Sequence, residues 1–361
     1  MKELNIIHAA DLHLDSPFEA LGAKAVERRS EQRGLLARIA ELANERGADL
    51  LLLAGDLLDT ASAYAETGEA LVSALGSVRC PVFISPGNHD YYGAFSPYAR
   101  LKMPENVHVF TKNALQYYPI PELGVRVWGA AFTDVGSRPI LRGVTVPKQE
   151  GMLDVCVLHG EAEAPSSRYN PITAEDIAGS GMDYIALGHI HTFGGLRRAG
   201  STFYAWPGCP EGRGFDECGE KGVLQLRLSP GACTAELIAV CTRRYEVLEC
   251  PCGDVMQSVP AGAQRDVYRI VLTGECDAPP DTAELQKALA DRFYALEIVD
   301  KTRVRRDIWA LSERDDLRGV FLRKMHARLD AAQSEDEKND ITQATRWGLA
   351  ALERGEAVRA L

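Results

Sequence analysis

Two hydrophobic rhythms alternate along the first part of the chain. Leu4–Ala10, Leu50–Ala54 and Pro81–Ser85 are short, almost uninterrupted apolar runs, the pattern of strands buried on both faces. Between them the apolar spacing lengthens to three and four. Residues 27–46 place Leu35, Leu36, Ile39, Leu42 and Ala43 on one helical face, with Gly47 as the cap, and residues 66–75 repeat the pattern. Strand, helix, strand in succession predicts a layered α/β domain.

Past residue 100 the strands come closer together. Runs at 107–110, 125–128, 154–158, 184–187, 202–205, 223–227 and 235–240 predict a second sheet packed on the first. The composition shifts at Cys250-Pro-Cys-Gly and again at Pro260-Ala-Gly. A fresh strand at 267–272, a helix at 282–293 and a strand at 296–299 then form a small α/β unit. Two amphipathic helices end the chain, one with Leu317, Val320, Phe321, Met325 and Leu329, the other with Ile341, Ala344, Gly348, Ala351 and Leu352. The expected architecture is two mixed sheets flanked by helices over residues 1–252, an α/β cap over 253–310 and a helical tail over 311–361.

Composition narrows the class. With 46% hydrophobic residues the chain can bury a core without cross-links. No run approaches the roughly 18 apolar residues of a membrane span, and the opening MKELNIIHAADLHLD breaks off too early for a signal peptide, so a cytoplasmic, membrane-free protein is expected. The nine cysteines include no CxxC pair and read as reduced thiols rather than a zinc ribbon or disulfide framework. A formal net charge of −11 argues against a general nucleic-acid coat. Locally, residues 301–328 hold nine Lys/Arg against four Asp/Glu, an excess that most often marks a solvated helix face.

The chemistry sits in five short pieces, each directly after a predicted strand: Asp11-Leu-His13, Gly55-Asp56, Gly87-Asn-His-Asp90, His159-Gly160 and Gly188-His-Ile-His191. In α/β sheets ligand sites lie beyond the carboxyl ends of strands, so pieces spread over half the chain can meet at one rim. Carboxylates, imidazoles and one amide without a thiolate suit Mn²⁺, Fe²⁺ or Zn²⁺ in a catalytic setting. Asp11 and His13, two residues apart in extended chain, face one side and can share an ion. His189 and His191 can do the same, or a turn can aim them at different ions. His8, inside the first strand, and His108, in no motif, read as structural.

Together these pieces resemble the calcineurin-like metallophosphoesterase pattern D-x-H, G-D, G-N-H-[DE], H, G-H-x-H over roughly residues 1–245. Within it, residues 8–18 and 207–222 are most similar to the SbcD-like nuclease branch and its bacterial YhaO-type members. The resemblance implies a first divalent ion held by Asp11, His13 and His191, a second by Asn88, His159 and His189, and Asp56 bridging both. His89 would be the catalytic histidine that binds no metal, oriented by Asp90. Where archaeal and eukaryotic members of the branch carry a histidine shortly after Gly-Asp, this chain has Asp59. The implied function is a Mn²⁺-dependent DNA exonuclease or endonuclease working with an SMC-like coiled-coil ATPase, the tail docking that partner through Phe321. A homodimer is left open. The rival readings are a phosphodiesterase for nucleotides or other small esters, and a low-activity DNA-binding subunit of such an ATPase complex.

Overall fold

The computed structural model describes residues 3–60, 62–162, 164, 166–276, 278–304 and 308–354. Part of the basic stretch, Arg305 and Arg306 with Asp307, lies outside the described residues. The chain divides into two compact units, residues 1–248 with 259–270 and 285–298, and residues 249–258 with 271–284 and 299–361.

The first unit begins with β1 (Leu4–Ala9), α1 (Ala25–Glu45), β2 (Leu50–Leu53), α2 (Ala65–Gly76), β3 (Val82–Ile84), the single turn α3 (Pro97–Arg100) and β4 (Val107–Val109). Then follow β5 (Gln116–Ile120), β6 (Val125–Gly129), β7 (Leu153–His159), α4 (Ala174–Gly179), β8 (Tyr184–Gly188), β9 (Arg197–Ala199) and β10 (Thr202–Ala205), before β11 (Val223–Ser229) and β12 (Ala232–Ile238). Two six-stranded sheets result, ordered β12-β11-β1-β2-β3-β4 and β5-β6-β7-β8-β10-β9. Both are mixed: β1 to β4 run parallel, as do β6, β7, β8 and β10, while β11 and β12 on one side of the first sheet and β5 and β9 at the two edges of the second pair antiparallel. This is the expected two-sheet α/β sandwich.

Side-chain alternation explains the layering. Leu4, Ile6, Leu50, Leu52 and Phe83 point from the first sheet towards Val125, Val127, Val155, Val157 and Tyr184 of the second, forming the central apolar layer. Their neighbours Ile7, Leu51, Leu53, Val82 and Ile84 pack outward on Leu35, Leu36 and Ile39 of α1 and Leu71 and Leu75 of α2. Cys156, Leu158, Ile185 and Leu187 cover the outer face of the second sheet with Ile177 of α4. Strands buried on both faces read as continuous apolar runs, which is why the pattern located them.

Two of the strands that the pattern missed lie where it is weakest. β5 contains Pro119 and β9 begins with two arginines, and both are sheet edges, where a missing N–H or a charge is tolerated. Further on, β13 (Tyr245–Pro251), α5 (Val255–Ser258), β14 (Val267–Thr273), β15 (Glu275–Cys276), α6 (Thr282–Leu289), β16 (Ala295–Asp300) and β17 (Arg303–Val304) give a three-stranded sheet β13-β14-β16 and a parallel pair β15-β17. The expected helix over 282–293 is α6 followed by a short 3₁₀ turn.

Cys252 and Cys276 form a disulfide, which corrects the expectation that all thiols are free; the other seven are unpaired. The two cysteines are separated by 24 residues, and their pairing depends on tertiary proximity that spacing does not reveal.

In the second unit, α7 (Leu317–Ala331) and α8 (Glu335–Arg354) pair with each other. Gly348 lies under the Phe321 ring. The buried positions are Gly319, Leu322 and Met325 on α7 and Thr345 and Leu349 on α8, whereas Leu317, Val320, Trp347 and Leu352 are exposed. Phe321 is half-buried and packs against Gly348 within the helix pair. Among the described residues no helix is long and apolar enough to cross a membrane.

Candidate metal centre

The backbone beyond β1 and β2 keeps the strands' parallel register. Asp11 N–H donates to the Gly55 carbonyl (3.0 Å), His13 N–H to Asp56 (2.9 Å) and Leu14 N–H to Leu57 (2.9 Å). Asp11, His13, Asp56 and His189 all sit at positive φ, at 57°, 46°, 50° and 96°. Left-handed backbone at residues other than glycine costs about 1–3 kcal/mol each and persists where surrounding contacts enforce it.

Asp90 supplies that enforcement at Asp56, and the Asp11 carboxylate at His189, whose N–H lies 3.0 Å from both its oxygens. The buried Asp90 carboxylate accepts N–H groups from Asp56 (3.2 Å), Leu57 (2.7 Å), Leu58 (3.3 Å) and Gly87 (2.7 Å), and the Tyr98 hydroxyl (2.5 Å). Gly87 must lack a side chain. A Cβ there would lie 2.7 Å from Asp56 N and 2.9 Å from its Cγ, and closer still to Oδ1.

Seven side chains, from all five strand-end pieces, converge. Asp56 Oδ2 lies 3.3 Å from His159 Nε2 and 3.7 Å from His13 Nε2, so one carboxylate faces two groups of donors. On one side His13 Nε2 meets His191 Nε2 at 3.3 Å, with Asp11 Oδ1 3.8 Å from His191. On the other, Asn88 Oδ1 is 3.1 Å from His159 Nε2 and 3.2 Å from His189 Nδ1, and those two imidazole nitrogens are 3.3 Å apart. Asp11-His13-His191 and Asp56-His159-His189 each offer ligand atoms to a common point; His13-Asp59-His89 is a third such cluster. The turn at His189, where φ is positive, sends it and His191 to opposite sides.

The donor chemistry fits divalent cations. His159 Nδ1 lies 2.9 Å from the Ala54 carbonyl and can only donate to it, so Nε2 keeps its lone pair towards Asp56 and Asn88. Burial holds His13 and His189 down to about 4, leaving them neutral near pH 7, the form a ligand requires. Burial pushes Asp11 up to about 6. Burial would also lower His159, but Asp56 and Asp11 outweigh it and raise it to about 9. Burial alone would raise Asp56, yet His159 and His13 hold it well below the usual carboxylate range.

Two site expectations need correction or extension. Asp90 does not touch the His89 ring: His89 Nδ1 lies 2.9 Å from the Asp59 backbone carbonyl, while Asp90 clamps the Asp56 and Gly87 loops. The physical reason is burial. Asp90 is inaccessible and its oxygens are taken by backbone N–H groups, whereas His89 is exposed and rests edge-on against His13, ring centroids 4.8 Å apart. The sequence pattern also assigned no role to the carboxylates behind the histidines. Asp59 Oδ1 lies 3.1 Å from His13 Nδ1, and Glu217 Oε1 lies 2.7 Å from His191 Nδ1. The Gly-Arg-Gly-Phe-Asp-Glu stretch around Glu217 stood out only by resemblance. His8 and His108 are structural, as expected: His8 Nδ1 is 2.9 Å from the Tyr184 hydroxyl, and His108 stacks on Phe83.

Residues 4–193, more than half of the chain, match the family model of the calcineurin-like phosphoesterases, and the chain belongs to that family. It is 29% identical to the metallophosphoesterase YhaO of Bacillus subtilis over 263 residues, covering 69% of this chain and 62% of that protein. It is 25% identical over 267 residues to the SbcD component of the SbcCD nuclease of Escherichia coli K12, covering 62% and 64%, and 25% identical over 227 residues to that of Rhodobacter capsulatus, covering 55% and 50%. The match thus spans half to just under two thirds of these relatives' length. Among solved structures, TT1561 of Thermus thermophilus aligns with a TM-score of 0.41 at 14% identity, covering 65% of this chain and 99% of that one. A dimetal phosphatase from Danio rerio aligns with a TM-score of 0.40 at 12% identity, covering 62% and 92%.

Proposed function

We propose that this chain is a two-metal phosphodiesterase that cleaves DNA. The observation that supports this most directly is the pair of donor groups meeting at Asp56, oxygen and nitrogen ligands only, at the ends of parallel strands. Asp11, His13 and His191 would hold one ion, Asn88, His159 and His189 the other, and Asp56 both. When bound, two such ions supply positive charge against the phosphoryl oxygens and acidify an attacking water. Mn²⁺ is the preferred occupant, with Fe²⁺ or Zn²⁺ compatible with the same donors.

The chain's own groups do the rest. The Asp59 carbonyl accepts from His89 Nδ1, so when the ring is protonated Nε2–H is the group that can give a proton to the departing alkoxide. Asp90 keeps the Asp56 turn in its strained form, so the shared carboxylate is held before any ligand arrives. DNA as substrate rests on the similarity to nuclease subunits. The same similarity motivates a partner, an SMC-like coiled-coil ATPase, met by the second unit. Leu317 and Val320 on α7 and Trp347 and Leu352 on α8 are among the exposed apolar residues available for such a contact.

The deciding experiment incubates metal-reconstituted protein with DNA of defined ends and, in parallel, with a small chromogenic diester. Mn²⁺-stimulated DNA cleavage that falls steeply with salt is the expected result. Hydrolysis of the small diester or of nucleotides with no DNA cleavage across several metals moves the assignment to a small-molecule phosphodiesterase.

A further inference from the structure

Behind the first donor group lies an ionic network that the metal ligands themselves do not require. His13 and His191 present Nε2 atoms to one another at 3.3 Å and turn their Nδ1 atoms to two different carboxylates, Asp59 and Glu217. Those carboxylates come from distant parts of the sequence, and one side chain links them. Arg213 places Nη2 2.5 Å from Glu217 Oε1 and 3.2 Å from His191 Nδ1, whose shorter 2.7 Å contact to Glu217 Oε1 takes the Nδ1 proton; its Nε lies 3.2 Å from Glu217 Oε2 and its Nη1 3.4 Å from Asp59 Oδ1. The loop carrying the pair closes on itself: Arg213 N–H donates to Glu217 Oε2 (2.8 Å), and Glu217 N–H to the Gly214 carbonyl (3.0 Å). The His191 carbonyl is also held, by Lys221 Nζ (3.0 Å) and Cys209 N–H (3.2 Å).

We propose that Arg213, through Glu217 and Asp59, is a positioning residue that locks His13 and His191 with Nδ1 as donor and aims both Nε2 lone pairs at a single cation. The inference rests on the metal-site assignment above and extends it. It also predicts an asymmetry. His159, in the other group, donates Nδ1 to a neutral backbone carbonyl, and no described contact joins Arg213 to Asn88, His159 or His189. Loss of the network therefore weakens one ion and spares the other. A planar guanidinium matters here because it spans two carboxylates in a fixed fork, which an ammonium cannot do.

The test is stepwise Mn²⁺ titration by calorimetry, with Co²⁺ absorption spectra as a report on coordination, on the full chain and on Glu217→Gln, Arg213→Lys and Arg213→Gln. Wild type should take up two ions. Each variant should lose about 10–100-fold in affinity for one ion, the range for removing a group that orients a ligating histidine, with the other unchanged and the Co²⁺ spectrum altered for one site. Arg213→Lys should not restore the loss. Equal weakening of both ions, or wild-type affinity in all three variants, overturns the inference while leaving the metal-site assignment standing. Failure of wild type to bind two ions overturns both. Glu217→Gln keeps shape and volume; if it melts as wild type without metal yet Arg213→Gln does not fold, the titration of Glu217→Gln decides alone.

Discussion

Gly87→Ala should disable the site without touching a ligand. The glycine's φ lies outside the left-handed region, so alanine is compatible with the backbone and the perturbation is one of space. The new Cβ would stand 2.7 Å from Asp56 N and 2.9 Å from its Cγ, with Oδ1 nearer still, against an ordinary limit of 3.4 Å. Neither neighbour is a flexible chain end. Asp56 is buried, and its backbone is pinned by Asp90. The shared carboxylate must therefore move by about 1 Å, a displacement that costs roughly 10²-fold in rate when it misplaces the reacting groups. This corresponds to about 2.7 kcal/mol of transition-state stabilisation. The assay is kcat/KM on a small chromogenic diester with saturating Mn²⁺, alongside metal content by elemental analysis. Gly93→Ala is the control, since its Cβ meets only the Tyr91 ring at 3.9 Å. If Gly87→Ala kept both ions at wild-type affinity and turned over within twofold of wild type, the central place given to the Asp56 carboxylate would be wrong.

His89→Ala should retain two ions and lose about 10²–10⁴-fold in turnover, whereas His159→Ala should lose an ion; the reverse pattern in elemental analysis would exchange the two roles. His8 is buried, which holds it down to about 3, so protonation favours the unfolded chain: its contribution to stability is complete above about 6.5 and is lost as pH falls towards 3. For the metal-free protein this amounts to about 2 kcal/mol at pH 5, measurable by urea unfolding, and His8→Phe should flatten that part of the slope; an unchanged slope would refute it. Removing residues 308–361 should abolish co-purification with an SMC-like ATPase and leave small-diester hydrolysis in place, because every proposed ligand lies before Thr192; a truncated chain that no longer folds would show that the tail helices support their own protein instead.

The hydrophobic pattern was sufficient to reveal the sandwich, since strands buried on both faces leave continuous apolar runs and helices on one face leave a spacing of three and four. It also exposed the donors, because polar residues directly after such runs stand at strand ends, and parallel strands bring those ends to one edge. What lay beyond the pattern depends on contacts between distant positions. The division of His189 and His191 between two donor groups follows from a left-handed turn that only the surrounding structure enforces. Asp90 had to be seen buried among backbone N–H groups before it could be separated from the His89 ring. Phe321 reads as one more apolar helix residue until Gly348 is found beneath it. Asp59 and Glu217 are ordinary acidic residues in sequence. They become partners of His13 and His191 only when chain segments far apart in sequence are folded together, because a hydrogen bond depends on ångström-scale distance and direction, and neither is encoded in residue type or local spacing.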